Sequence, residues 1–266
     1  SSFRFNCFRK NKKLIKMDDL FSIKNKVIII TGAGNGIGNI LAQEMWKRNA
    51  IIYSIDTVFS KTKKKENYFE IKSDITNIKK FNKICEQIFK KHNKIDILIN
   101  NAGITFTKKD NEEYPIDKWE QTLKINLTGA FTSSQTVLKF MKKQKDGSII
   151  NITSINAEVG FPNNPAYVAS KGGLKMLTKS LAKDYGKYGI RVNNLGPGYI
   201  KTNMTKKSFR NKKIKNSREK QTLLCRWGEI SDLIGPCIFL ASNASKYLTG
   251  QDIYVDGGWL ANGLVE

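Results

Sequence analysis

Short runs of β-branched and aliphatic residues alternate along the chain with longer segments in which apolar residues recur at helical spacing. Continuous apolar runs of this kind are typical of strands buried on both faces, as in parallel sheets. The pattern predicts strands at 26–31, 51–55, 68–72, 95–100, 147–152, 190–195 and 252–256. It predicts helices near 36–48, 77–92, 115–143, 164–188 and 229–241. Such alternation indicates right-handed βαβ units and an α/β, doubly wound parallel sheet.

The chain has no internal repeat and no linker rich in Pro, Gly or Ser. We therefore expect a single folded domain over residues 21–266. The segment 57–67 is short and rich in lysine, so a helix there would have at most a turn or two. The other long irregular stretch, 199–225, lies where such folds carry a mobile substrate loop.

The first residues differ in composition from the rest. Residues 1–16 carry six Lys/Arg and no acidic residue, and they lack the apolar stretch of a secretory signal. We expect residues 1–20 to form a disordered basic arm. No apolar run approaches the ~18 residues that a membrane helix needs, so no membrane association is expected.

The cysteines and the single histidine exclude two other kinds of site. Cys7, Cys85, Cys225 and Cys237 show no CxxC pairing, and a chain of this length needs no disulfides, which indicates reduced thiols in a cytoplasmic protein. His92 has no ligand-like neighbours and is predicted to be an exposed residue at a helix end. We therefore predict no metal site.

A glycine-rich turn follows the first predicted strand directly. It contains Gly32, Gly34, Gly36 and Gly38 and runs into the first helix. Glycines there permit a tight turn and let backbone N–H groups approach a pyrophosphate, although glycines also serve tight turns that bind nothing. The position between the first strand and the first helix favours a dinucleotide site.

Asp56 ends the second predicted strand, 24 residues after Gly32. A carboxylate there hydrogen-bonds the adenosine ribose hydroxyls and repels the 2′-phosphate of NADP. Asn35 is uncharged and so offers no cation for a 2′-phosphate, whereas the lysines at 61–65 would be able to compensate for the negative charge of Asp56. Asp56 would also serve as an ordinary cap of the strand end. The sequence favours NAD over NADP.

Tyr167 and Lys171 are four residues apart, so a helix places the phenol and the ammonium on one face. A phenol titrates near ~10 and becomes useful in proton transfer when a positive charge stabilises the phenolate. Such pairs are common by chance. Ser154, thirteen residues before Tyr167, follows a strand and would hydrogen-bond a substrate oxygen, and Asn126 is an amide midway along a predicted helix.

Together these motifs resemble the short-chain dehydrogenase/reductase family from about Lys24 to Gly258. The resemblance implies a Rossmann fold with seven strands in the order 3-2-1-4-5-6-7, a nicotinamide cofactor and a homotetramer or homodimer. The chain departs from the family pattern at Gly196, where many members have serine. The motifs that carry the resemblance are Thr31 to Gly38, Asp74, Asn100 to Gly103, Asn126, Ser154, Tyr167, Lys171, Pro197-Gly198 and residues 249–258.

The resemblance also implies residue roles. Tyr167 exchanges a proton with the reacting oxygen, Lys171 lowers the pKa of that tyrosine, Ser154 orients the substrate oxygen and Asn126 anchors a water. Asp74 and Ile75 meet the adenine. The implied cofactor-binding set is Gly32, Asn35, Gly36, Ile37, Gly38, Asp56, Asp74, Ile75, Asn101, Ala102, Gly103, Tyr167, Lys171, Pro197, Ile200 and Thr202.

The substrate is less well determined by the sequence. The carboxy-terminal VDGGWLANG resembles gluconate 5-dehydrogenase-like members, which favours a polar, sugar-like small-molecule substrate. The body also resembles 3-oxoacyl-carrier-protein reductases, which is the alternative. Between Lys206 and Lys220 there are eight Lys/Arg and one acid, so this segment either receives an anionic substrate or is a solvated lid.

The net charge of +23 raises a different class of function, nucleic-acid binding on an inactive enzyme fold. The basic residues are scattered, however, without the interleaved aromatic residues that stack on bases. All four implied catalytic positions are also filled. The sequence therefore favours an NAD-dependent oxidoreductase without a nucleic-acid partner.

Overall fold

A computed structural model describes residues 20–59 and 65–262 and contains one seven-stranded sheet flanked by helices. The strands are β1 (Val27–Thr31), β2 (Ile51–Asp56), β3 (Tyr68–Lys72), β4 (Ile97–Asn100), β5 (Gly147–Ile152), β6 (Ile190–Pro197) and β7 (Asp252–Val255). The α-helices are α1 (Gly36–Lys47), α2 (Ile78–His92), α3 (Ile116–Leu123), α4 (Gly129–Gln144), α5 (Pro165–Tyr185), α6 (Lys206–Arg210), α7 (Lys212–Gln221) and α8 (Ile234–Ala241). Every predicted strand and helix is present.

The strands lie in the order β3-β2-β1-β4-β5-β6-β7, and each neighbouring pair is parallel. In the central register, Ile29 of β1 lies opposite Tyr53 of β2 and Leu98 of β4. The chain builds outward from β1 to β3 and then crosses back to β4. In open α/β sheets, ligands bind beyond the carboxyl ends of the strands at such a reversal. The expected Rossmann fold is confirmed, and it places a site between β1 and β4.

Two apolar clusters cover the two faces of the sheet. Ile29 belongs to one cluster, and its neighbours in sequence, Ile28 and Ile30, belong to the other. Successive side chains on a strand point to opposite faces, so a continuous apolar run supplies both clusters. This is why the central strands are apolar throughout, and why polar residues at their carboxyl ends stand out.

A chain of buried polar side chains crosses the sheet beneath α5. Asn100 Nδ2 donates to Asn151 Oδ1 at 2.8 Å, and Asn151 Nδ2 donates to Thr178 Oγ1 at 2.7 Å. Thr178 Oγ1 in turn donates to Asn194 Oδ1 at 2.6 Å. Buried hydrogen-bonded networks have strong geometric preferences, so these bonds fix α5 relative to β4, β5 and β6, although Asn100 Oδ1 has no partner among the described residues. Helix α5 also carries Tyr167 and Lys171.

The expectation of an irregular stretch over 199–225 is wrong, because α6 and α7 occupy most of it. Helix α7 begins where the Asn211 side chain accepts the backbone N–H of Ile214 at 3.1 Å. Phe209 packs edge-to-face on Trp227 with ring centroids 5.3 Å apart. Apolar residues such as Phe209 are few among the charged residues of this segment, so no helical pattern is evident in the sequence. The helices are stabilised by tertiary packing.

His92 ends α2 as predicted, but it is half-buried, so its predicted exposure is wrong. Its Nε2 is hydrogen-bonded to Tyr53 Oη at 2.8 Å, which gives the ring a polar partner on β2. Burial lowers the pKa of His92, and the neighbouring charges of Lys91 and Lys94 act in the same direction. The side chain therefore belongs to the β3 edge of the fold.

Two predicted segments fall wholly or partly outside the described residues. Residues 1–19 of the basic arm lie outside them, as do residues 60–64. Within the segment 57–67, residues 57–59 and 65–67 contain no helix, which agrees with the short connection expected there.

Gly196 is explained by the strand beside it. An added Cβ would lie 2.5 Å from Cε1 of Tyr254 and 3.3 Å from Oγ1 of Thr153. Tyr254 cannot easily move away, because its hydroxyl donates to Glu158 Oε1 at 2.6 Å. A serine at this position would overlap the tyrosine ring, so the departure from serine goes together with Tyr254.

We expect Gly196→Ser to lower the free energy of unfolding by about 1–3 kcal/mol, the usual effect of overpacking a core. Urea denaturation measures this value. Gly160→Ser is the matched control, because an added Cβ there meets nothing within 4 Å. Adding Tyr254→Ala should relieve the defect of Gly196→Ser. Equal stability of both serine variants would contradict this account.

Candidate active site

The glycine-rich turn leaves β1 in a conformation that suits glycine. Gly32 has φ +65°, and an added Cβ would lie 2.6 Å from Cα of Ala102. Gly36 has φ +57° and opens α1, and an added Cβ there meets nothing within 4 Å. The turn is therefore packed against β4 at Gly32 and faces open space at Gly36.

The first turn of α1 has free hydrogen-bonding capacity. Asn35, its N-cap residue, makes no side-chain capping bond, and no acidic residue lies in the first turn. The leading N–H groups of a helix carry a partial positive charge and bind anions. The open space at Gly36 and these N–H groups together fit a pyrophosphate, so the residues present suit a dinucleotide.

Asp56, at the end of β2, holds the turn from the other side. Its Oδ2 accepts the backbone N–H of Gly34 at 2.8 Å, and its Oδ1 accepts that of Val58 at 3.2 Å. Asn101, directly after β4, does the same, because its Nδ2 donates to the carbonyls of Thr31 and Gly32 at 3.1 and 2.8 Å. Both side chains thus hold the shape of the turn through direct hydrogen bonds.

Most of the predicted site residues meet in one cleft of about 390 Å³ at the carboxyl ends of the strands. Those lining it are Gly32, Asn35, Gly36, Ile37, Asp56, Asp74, Ile75, Asn101, Ala102, Gly103, Ser154, Tyr167, Lys171, Pro197, Ile200 and Thr202. Gly38 and Asn126 lie behind the lining. An added Cβ at Gly38 would meet Gly32 O at 2.5 Å, so Gly38 serves helix packing.

Lys171 is held at the inner end of the cleft, on α5. Its Nζ donates to the carbonyl of Ile152, the last residue of β5, at 2.7 Å, and the residue is 4% exposed. It also lies 5.5 Å from the ring centroid of Tyr167. Burial lowers the pKa of Lys171 from 10.5 to about 8, because the buried ammonium loses its hydration.

Tyr167 faces the same end of the cleft one turn earlier on α5. Burial raises the pKa of its phenol, and a hydrogen bond with Ser154 acts in the opposite direction. Ser154 directly follows Thr153 beyond β5, and its Oγ also accepts the backbone N–H of Asn156 at 3.2 Å. A phenol, a hydroxyl and an ammonium therefore converge, which is an arrangement able to pass a proton to a bound oxygen.

Asn126 lies in a π-helical segment, Lys124–Thr128, that interrupts the predicted continuous helix between α3 and α4. Its Oδ1 accepts the N–H of Ile104 at 2.8 Å, while its Nδ2 donates to Ile104 O at 2.9 Å and Ser170 Oγ at 3.1 Å. Both amide hydrogens are used. The side chain joins the β4 loop to α5, and π segments are frequent beside functional sites.

Several lining residues were not predicted, although many are direct neighbours of predicted ones. Thr205 had a signal in its spacing from Thr202: its Oγ1 accepts Thr202 N at 3.0 Å and donates to Ile200 O at 2.6 Å. No comparable signal pointed to Ile125, because no motif in the sequence predicts the π-helical segment. The unpredicted residues are Ile55, Thr57, Ser73, Ile104, Ile125, Ile152, Thr153, Gly198, Asn203, Met204 and Thr205.

Three further findings concern residues 20–59 and 65–262 alone. No helix among them has both the length and the apolar character to span a membrane. No group of three His, Cys, Asp or Glu side chains within these ranges is placed to hold a metal ion. Their cysteines, Cys85, Cys225 and Cys237, are free thiols.

Comparison with known proteins gives the same assignment as the geometry. A family model described as enoyl-(acyl carrier protein) reductase matches residues 32–260. The 5-keto-D-gluconate 5-reductase of Escherichia coli is 36% identical over 252 residues, which are 92% of this chain and 99% of that protein. The 2-dehydro-3-deoxy-D-gluconate 5-dehydrogenase of Dickeya dadantii is 34% identical over 91% of this chain and 98% of its own.

A solved structure agrees in fold over the same extent. The gluconate 5-dehydrogenase of Burkholderia cenocepacia, crystallised with NADP and tartrate, superposes with a TM-score of 0.84. It is 31% identical and covers 91% of this chain and 98% of its own. The chain therefore belongs to the short-chain dehydrogenase/reductase family, and it is an NAD(P)-dependent oxidoreductase that acts on CH–OH groups.

Proposed function

We propose that this protein interconverts a ketone and a secondary alcohol on a sugar acid, with Tyr167 as the proton donor and acceptor. The observation that carries the proposal is the convergence of Tyr167, Ser154 and Lys171 at one end of a cleft. The other end of the cleft is formed by the glycine-rich turn and Asp56, which suit a dinucleotide.

A bound nicotinamide cofactor supplies or accepts the hydride. Tyr167 gives its phenolic proton to the substrate oxygen during reduction and takes it back during oxidation. Ser154, which shares a hydrogen bond with Tyr167, orients that oxygen. The ammonium of Lys171, fixed by the Ile152 carbonyl, favours the phenolate of Tyr167 because opposite charges attract strongly where water is excluded.

The substrate class is supported by the relatives. The proteins similar over nearly the whole chain are named for 5-ketogluconate, 2-dehydro-3-deoxygluconate and gluconate. The Burkholderia structure was crystallised with tartrate, which is itself a hydroxy acid. These names favour a polyhydroxy carboxylate over the 3-oxoacyl thioester that the body of the sequence leaves as the alternative.

A substrate panel followed by nicotinamide absorbance tests the proposal. It contains 5-keto-D-gluconate, 2-dehydro-3-deoxy-D-gluconate and an acetoacetyl thioester, each with NADH and NADPH. We expect the highest kcat/KM on one of the sugar acids. A higher kcat/KM on the thioester would replace the proposed function with the acyl reductase alternative.

We also propose NAD as the preferred cofactor, on the basis of Asp56. Its carboxylate lines the cleft at the end of β2, where a 2′-phosphate would bring two negative charges together. Lys65 offers little compensation, because it does not line the cleft and its Nζ is held 4.6 Å from the ring centroid of Trp46 and 5.1 Å from that of Tyr68. The lysines at 61–64 lie outside the described residues.

We expect the wild type to bind NADH about tenfold or more tightly than NADPH, and Asp56→Asn to bring the two dissociation constants together. Asparagine keeps one oxygen, which is able to accept the shorter bond from Gly34, and it removes the charge together with the longer bond from Val58. Fluorescence titration measures both constants. Asp74→Asn is the control, since it should alter both affinities alike. Tighter binding of NADPH by the wild type would refute the preference.

We propose further that the chain works as a homotetramer or homodimer in the cytoplasm. The resemblance supports the assembly, and so do apolar side chains that stay exposed on two packed helices. Phe131 on α4 is 40% exposed and Met176 on α5 is 60% exposed in the single chain. The free thiols of Cys85 and Cys237, both buried, suit a reducing compartment.

A further inference from the structure

Arg218, on α7, is held by aromatic rings. The carbon of its guanidinium lies 4.2 Å from the ring centroid of Tyr199, 5.5 Å from that of Trp227 and 5.7 Å from that of Phe161. Guanidinium groups stack favourably on such rings, and the rings carry no charge. They therefore fix the position of the guanidinium without neutralising it.

Arg218 differs from the other arginines in residues 20–59 and 65–262. Arg48 pairs with Glu44, Arg226 pairs with Asp232, and Arg191 donates to Ser245 and to carbonyls. Arg210 is exposed to solvent. Arg218 is half-buried, yet among these residues its guanidinium has neither a hydrogen-bond acceptor nor an acidic partner.

Glu219, the acidic residue nearest to Arg218 in sequence, is not its ion-pair partner. Glu219 follows Arg218 on α7 but pairs with Lys215 at 3.6 Å. None of the Arg218 nitrogens is a buried atom without a partner, so the guanidinium is open to solvent and a ligand is able to reach its five N–H donors. Its fork geometry suits two oxygens at once, as in a carboxylate.

Two of the rings that hold Arg218 belong to chain segments next to the active-site cleft, although Arg218 and the rings themselves do not line it and Tyr199 lines a smaller neighbouring pocket. Tyr199 stands between Gly198 and Ile200, which both line the cleft. Phe161 belongs to the segment that leads from Ser154 to α5. Arg218 thus lies beside the two chain segments that border the Tyr167 end of the cleft, whereas Lys206 borders a separate groove beside Gly36 and Asn39 at the phosphate end.

We infer that Arg218 binds the carboxylate of the hydroxy- or keto-acid substrate and so selects acids over neutral sugars. This inference rests on the proposed function and names the residue that makes it specific. It replaces the broader idea that the whole basic segment attracts an anion. It also explains why a guanidinium lies among three aromatic rings, those of Phe161, Tyr199 and Trp227.

Arg218→Met tests the inference, because methionine keeps an unbranched apolar stem and helix propensity while it removes the charge. We expect KM for 5-keto-D-gluconate to rise by about 30-fold or more, as when one partner of a desolvated charge pair is lost. The kcat should change little. Arg218→Lys should be intermediate, since it keeps the charge and loses the fork.

Two controls separate recognition of the carboxylate from damage to the lid. Arg210→Met removes the same charge from the neighbouring α6 and should leave KM unchanged. 5-Keto-D-fructose, a neutral analogue, should show the same KM with the wild type and with Arg218→Met. Equal KM values for wild type and Arg218→Met on the acid, or parallel rises for acid and neutral ketone, would overturn the inference.

Measuring the binding of tartrate tests the role of Arg218 independently of whether the proposed substrate class is right. Calorimetric titration of tartrate into the enzyme with saturating cofactor should give binding that Arg218→Met weakens and Arg210→Met does not. If the wild type reduces no sugar acid but still binds tartrate through Arg218, the substrate assignment is wrong and the carboxylate site stands. If Arg218→Met binds tartrate as tightly as the wild type, the inference is wrong whatever the substrate.

Discussion

Replacing Tyr167 with phenylalanine is expected to lower kcat for sugar-acid reduction by about 10²–10⁴-fold, the range that a positioned acid or base contributes. The substitution removes one oxygen at the inner end of the cleft and keeps the ring that packs near Lys171. Stability and cofactor affinity should therefore stay close to those of the wild type. Steady-state kinetics, thermal unfolding and cofactor titration on the same preparation measure the three quantities.

The matched control for this substitution is Tyr53→Phe. Tyr53 lies on β2, and its hydroxyl is hydrogen-bonded to Nε2 of His92, far along the sheet from the end of α5 that carries Tyr167. Its loss removes a phenol and one hydrogen bond without touching the cleft. We expect Tyr53→Phe to retain the kcat of the wild type. Near-normal turnover by Tyr167→Phe would rule out Tyr167 as the proton donor.

The sequence predicted the fold and the residues that meet at the glycine-rich end of the cleft, because both depend on strand ends. Ile28, Ile29 and Ile30 are apolar in a row because β1 is covered on both faces. Parallel strands then bring all their carboxyl ends to one edge, so Asp56 and Asn101 have to meet the glycine-rich turn. Linear position alone was enough to place these residues.

Contacts between residues that are distant in the chain could not be predicted from the sequence. The π segment around Asn126 depends on the loop at Ile104, which is 22 residues away in the chain. The helices α6 and α7 depend on packing such as that of Phe209 on Trp227. In the sequence, Arg218 is indistinguishable from the other basic residues of its segment. Only the structure shows the rings of Tyr199 and Phe161 beside it.

The placement of Lys171 also could not be predicted, since the carbonyl of Ile152 holds its ammonium. Burial brings the pKa of Lys171 from its usual 10.5 to about 8, so the amine is charged below that pH and neutral above it. In the proposed mechanism, reduction needs the ammonium of Lys171 beside Tyr167. We therefore expect kcat/KM for reduction, which reports on the free enzyme, to fall as the pH rises through about 8.

Lys171→Met tests this account through activity, binding and pH together. Turnover should fall by about 10²-fold or more, because Tyr167 loses the charge that stabilises its phenolate. Cofactor affinity should weaken as well, because the resemblance to the family implies that Lys171 also binds the nicotinamide ribose. The remaining activity of Lys171→Met should lack the fall in kcat/KM near pH 8. A variant with the pH profile of the wild type would show that another group titrates there.

Stability provides an independent check on the same pKa. Between pH 8 and 10.5 the unfolded chain keeps a proton on Lys171 that the folded protein has released. More protons on the unfolded state mean that stability rises with pH in this window, and that the buried charge destabilises the fold below it. Relative to Lys171→Met, the wild type should therefore gain on the order of 1–2 kcal/mol between about pH 7 and about pH 9.5. Urea unfolding at the two pH values measures the difference, and an unchanged difference would place the pKa of Lys171 outside this window.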